Sequence, residues 1–143
     1  MDVVNPVNLD SMSRQRVPRP PGARRLAVAA AILQILVRVT LRPLGLSRSV
    51  ALTGWLGDRL YWPAIDRALV TWAVAATGRR LRTSCLVQAL AGRVCAGWAG
   101  AQVALIIGAR RDGLPQFHAW LEWLAEPPST GLPDEGFTPL VRF

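Results

Sequence analysis

The sequence predicts an α+β fold: an N-terminal helical region packed on a small core built from one helix followed by an antiparallel sheet. Three observations predict it. Apolar residues recur at helical spacing through roughly the first two thirds of the chain, punctuated by Pro and Gly. Two short runs then follow, residues 102–108 and 117–123, β-rich and joined by the turn residues Arg111-Asp112-Gly113-Leu114-Pro115. The charge divides near the same boundary. Through Ser84 there are 13 Arg against 4 acids (+9), and from Cys85 onward 4 Arg against 5 acids (−1), which together make the net +8.

The elements follow in order. Residues 1–22 read as a flexible tail, because Val17-Pro18-Arg19-Pro20-Pro21-Gly22 cannot sustain a helix and offers little to bury. Residues 23–143 read as a single domain, with 23–78 helical and 79–143 carrying the chemistry; 143 residues suffice for one core. A first helix is expected over 23–39, apolar on nearly every face and ended by Arg42-Pro43. A second runs from Ser47, as N-cap, to Leu56 before Gly57. A third starts near Pro63 and ends at Thr77 before Gly78, with Ile65, Leu69, Trp72 and Ala76 on one face. These four, with Trp55 and Trp62, read as core. Thr83 or Ser84 caps a fourth helix over 85–96, with Gly97 and Gly100 at its end. Strands are expected at 102–108 and 117–123, and a last one at 137–143 after a Pro- and Gly-rich segment.

Composition narrows the function. All 17 cations are Arg, and neither interleaved aromatics nor a nucleic-acid motif accompanies them, so an acidic peptide or protein is favoured over nucleic acid. The longest apolar run, residues 26–37, is about 12 residues, short of the ~20 a bilayer requires, so no stable membrane span is expected; the run reads as a buried core helix in preference to a membrane-surface helix. Two cysteines make no disulfide framework; on one helix, ten residues of rise separate Cys85 and Cys95 by about 15 Å, beyond bonding reach. Free thiols imply a reducing, cytoplasmic location. Two Cys and one His in no paired motif give a poor zinc site, and no phosphate loop is present, so neither metal nor cofactor is expected.

The chemistry concentrates on Cys85 and His118, the one histidine in the chain. A helix start presents unpaired backbone N–H groups and a positive dipole end, which favour a thiolate and can stabilise an oxyanion. His118, on the following sheet, would act as base and then acid. The bland alternatives are a small buried thiol and a structural imidazole. Cys95, in mid-helix, reads as structural.

Residues 80–124 resemble the leader peptidase of lasso-peptide biosynthesis, the B2 protein, a papain/transglutaminase-like cysteine protease. The resemblance is carried by Ser84-Cys85-Leu86 with Gln88-Ala89-Leu90, by Ile106-Ile107-Gly108-Ala109-Arg110-Arg111, by His118-Ala119-Trp120-Leu121-Glu122, and by the closing Phe137-Thr138-Pro139-Leu140. It implies removal of the leader from a ribosomally made precursor, freeing the core N-terminal amine for macrolactam formation by an asparagine-synthetase-like cyclase. It also implies a separate precursor-recognition protein. Two rival readings remain: a transglutaminase-like acyltransferase in which an amine replaces water, and a non-catalytic helical scaffold.

The third catalytic position departs from the family pattern, which places an acid on the strand after the His strand. Glu122 lies about 13 Å from His118 along one strand, too far to orient it. A turn on Glu126-Pro127-Pro128-Ser129 would bring residues near Asp134 back to His118, so Asp134 is the expected acid and Glu126 the second choice. Six Trp exceed what one small core uses, which predicts a docking face for the recognition protein or the cyclase.

Overall fold

The computed structural model describes residues 22–63, 65–110, 113–125 and 136–143. The expected tail lies outside these residues except for Gly22. So do Asp134, Glu126 and most of the segment between them and the last strand. Three helices, α1 (Ala23–Arg59), α2 (Arg67–Leu81) and α3 (Cys85–Trp98), precede three strands, β1 (Val103–Arg110), β2 (Gln116–Trp123) and β3 (Thr138–Arg142). The architecture is α+β, as the sequence predicts.

α1 consists of two helices that meet at a kink, as the sequence predicts, with the break at Gly45 and not before Pro43. Pro43 lies inside it, and the break is confined to Gly45, whose φ of 73° and ψ of 173° only glycine adopts without strain. Helical backbone resumes at once, and Ser49, not Ser47, binds back, donating its hydroxyl to the Gly45 carbonyl at 2.8 Å. α2 starts four residues later than expected because Asp66 outcompetes Pro63: its carboxylate accepts from the Leu69 N–H at 2.7 Å. With that register the buried face is Leu69, Val70, Ala73, Val74 and Thr77. Ile65 is buried ahead of the helix, whereas Trp72 is 38% exposed and Ala76 half-buried. Trp55, also expected in the core, is 53% exposed, with the Arg59 guanidinium 4.5 Å above its ring.

α3 is the central element, buried on nearly every face. Against α1 and α2 it packs Ala91, Val94, Cys95 and Trp98, with Leu26, Leu33, Val70 and Ala73. Against the sheet it packs Leu90, Leu105, Ala119 and Leu121. The helix ends at Trp98, between Gly97 and Gly100, as the sequence predicts; Gly97 has a second role. It lies within α3 and lets α1 approach: a Cβ there would stand 2.6 Å from the Gly57 Cα. Gly100, at φ 72°, follows the true end.

The sheet is antiparallel in the order β2-β1-β3. Its Leu105, Ile107, Ala119 and Leu121 side faces α3. By alternation Gly108, His118 and Trp120 share the opposite face, where the Trp120 ring covers Gly108; a Cβ there would meet it at 2.7 Å. β2 is an edge strand among the described residues.

Candidate active site at the head of α3

The linker before Cys85 is unusually constrained. α2 closes with Arg82 in the left-handed conformation (φ 49°), its N–H bonded to the Gly78 carbonyl, and the Thr83 N–H reaches that same carbonyl at 3.1 Å. Ser84 is the N-cap of α3, its side chain accepting from the Val87 N–H. Cys85 is therefore the first helical residue, as the sequence predicts.

Two amides lock this turn from either side. Gln34, fully buried on α1, donates to the Val74 carbonyl at 3.0 Å and to Thr77 Oγ1 at 2.7 Å, and its Oε1 accepts from the Thr83 hydroxyl at 2.5 Å. Gln88, on the first turn of α3, donates to the Thr83 carbonyl at 2.9 Å. Its amide lies directly over Gly78, where a Cβ would stand 2.4 Å from Gln88 Cδ. Sequence reasoning missed Gln34 and Gly78 as positioning residues. The signal was a single polar residue inside an apolar run, which buries well only when hydrogen-bonded.

Gly78→Ala should then act on the turn more than on the fold. The added methyl meets the end of a flexible side chain, so Gln88 swings away and its bond to Thr83 is lost. The expected stability loss is about 1 kcal/mol, the usual net value of such a bond, while Cys85 reactivity falls further. Thermal melts beside single-turnover thiol labelling measure both; unchanged labelling would argue against the positioning role.

Cys85 is half-buried and lines a groove of about 330 Å³ bounded by α2, α3 and β2. His118 lines the same groove, together with Gln88, Thr71 and Arg67. Its ring stacks on Trp120 with centroids 6.0 Å apart and meets Phe137 at 5.3 Å. The groove brings the two predicted residues to one rim: Cys85 comes from a helix start, and His118 from the edge strand whose outer face carries its ring. Phe137, three residues after Asp134 in sequence, shows that the chain entering β3 returns to His118. β3 then pairs with β1 and not with β2. Glu122 is bound elsewhere, in an ion pair with Arg142 at 3.0 Å.

Cys95 is a different thiol. It is fully buried in the helical core, and burial pushes its pKa up to about 12. It stays protonated throughout the working range of thiol reagents, so native protein should take up one equivalent of iodoacetamide, at Cys85, and a second only on unfolding. Mapping the adduct by mass spectrometry checks this; labelling of Cys95 in the folded state would contradict the packing. Both thiols are free. Among the described residues no group of three or more His, Cys, Asp or Glu could hold a metal ion.

The family model for the transglutaminase-like superfamily matches residues 31–142. The chain belongs to that superfamily. The match starts within α1 and ends at the last residue of β3, so it takes in the groove and both of its rims. No curated protein and no solved structure matches the chain. Superfamily membership accords with the helix-then-sheet core and with a cysteine-protease-like or acyltransferase-like framework.

Proposed function

We propose that the protein is a cysteine peptidase that removes the leader from a ribosomally made lasso-peptide precursor. The observation that carries this reading is one groove rimmed by Cys85, at a helix start, and by His118, on an edge strand, in a chain of the transglutaminase-like superfamily. Cys85 Sγ, as thiolate, attacks the carbonyl carbon at the leader–core junction. Backbone N–H groups at the head of α3 face the oxyanion. The C–N bond breaks as the His118 imidazolium gives its proton to the departing core amine. Water then attacks the thioester, its proton passes to His118, and the C–S bond breaks to release the leader carboxylate and the thiolate.

Asp134 is assigned the role of orienting the imidazole. The return of the chain to His118 at Phe137 supports it. Asp134→Asn should slow cleavage by about 10²–10⁴, whereas Glu126→Gln should leave it within a few-fold; the reverse order would move the role to Glu126.

A separate recognition protein and the asparagine-synthetase-like cyclase are the proposed partners. Incubating the chain with a synthetic precursor and the recognition protein, and following leader loss by mass spectrometry, tests the assignment. Adding hydroxylamine distinguishes the acyltransferase alternative: a peptidase yields chiefly the leader acid, an acyltransferase chiefly the hydroxamate.

A further inference from the structure

We propose that the outward face of α1 seats this protein on an anionic lipid surface. Val28, Ile32, Ile35, Leu36 and Val39 are 60%, 52%, 50%, 54% and 68% exposed. Their spacing of four, three, one and three places them within an arc of about 100° on one side of the helix. Leu26, Ala30, Leu33, Gln34 and Val37 are buried on the opposite side. α1 is thus apolar on two faces, and only one of them is used by the core.

Charge decides what covers the other. Exposed Arg24 and Arg25 precede the stripe, and exposed Arg38 and Arg42 fall at its far end. Over residues 11–57 the sequence holds eight Arg and no acid. The stripe itself is wholly aliphatic, with no aromatic anchor and no hydrogen-bonding side chain. Protein interfaces concentrate their energy in Trp, Tyr and Arg at the centre of a patch. Here the Arg lie at the ends, where long side chains reach headgroups while the aliphatic band enters the acyl boundary.

The helix lies on the surface and does not span it. By length and composition α1 is long and apolar enough to cross a membrane, and only 28% of its most apolar 18-residue window is buried. Gln34, however, ties its inner face to Val74, Thr77 and Thr83, and these bonds hold it against α2 and the turn before α3. Crossing would break them in a medium that offers no replacement.

Sedimentation of the full chain with vesicles tests the proposal. Vesicles of phosphatidylcholine containing one-quarter phosphatidylglycerol should carry the protein down, while pure phosphatidylcholine should not. Half-molar salt should weaken the binding by about tenfold or more. An Ile32→Ser/Ile35→Ser variant and an Arg24→Gln/Arg25→Gln/Arg42→Gln variant, each altering exposed side chains only, should each lose about tenfold. No binding to the anionic vesicles, equal binding to both compositions, or wild-type binding by the isoleucine variant would overturn the proposal. So would concentration-dependent dimerisation through the stripe without vesicle binding. The wild-type comparison of lipids and salt stands even if a variant folds poorly.

Discussion

On the proposed mechanism Cys85→Ala is expected to reduce leader removal to background, and His118→Ala to slow it by about 10²–10⁴. The two differ because their roles differ. Without the sulfur there is no covalent intermediate and no step for the imidazole to assist. Without the imidazole a helix-start thiolate can still attack, but the amine must leave without a proton donor beside it. Neither change should unfold the protein. Cys85 is half-buried at the edge of the sheet-side core, and His118 is half-buried on the outer face of the edge strand. Thermal melts near wild type, together with lost cleavage, would separate chemistry from folding; retained cleavage in Cys85→Ala would refute nucleophilic catalysis by this thiol.

The largest effect on stability is expected at the crossing of α1 and α3. A methyl at Gly97 would meet Gly57 Cα at 2.6 Å, and the Gly57 carbonyl carbon and oxygen at 2.7 and 2.9 Å. All three are backbone atoms, so no side chain can yield and the helices must part. Gly97→Ala should cost about 2–3 kcal/mol, at the upper end of overpacking, and lower Tm by about 5–10 °C. The reciprocal change is milder. A Cβ at Gly57 first meets Gly97 Cα at 3.3 Å, a conflict that shifts of a few tenths of an ångström relieve. Gly57→Ala should therefore cost less than Gly97→Ala, and differential scanning calorimetry of the pair would reveal it. Equal melting temperatures would contradict this asymmetry between the two glycines.

What the sequence made legible was local. Ser84 before an apolar run marks the start of α3, because a cap and the turn it closes lie within four residues. Two β-rich runs about a turn locate β1 and β2 for the same reason. One miss was local, the Asp66 cap that starts α2 four residues after Pro63, and others involve partners far apart in the chain. Pro43 reads as a helix end, yet the kink that divides α1 falls at Gly45, two residues on. Trp72 reads as core by its spacing from Leu69, but the buried face of α2 is centred on Leu69, Val70, Ala73, Val74 and Thr77, which leaves Trp72 at its margin, and Trp55 lies exposed beneath Arg59. The lock on the Cys85 turn joins Gln34 to residues more than forty positions away. β3 was legible as a strand, but its place beside β1 and across from β2 was not.

The most direct measurement is the rate of Cys85 alkylation at neutral pH in the wild type and in His118→Ala, with Cys95 as the silent internal thiol. A sulfur and an imidazole that work as a pair predict a wild type that reacts about tenfold or more faster than the variant. Equal rates would mean that the two act independently, and the groove would then hold no catalytic pair.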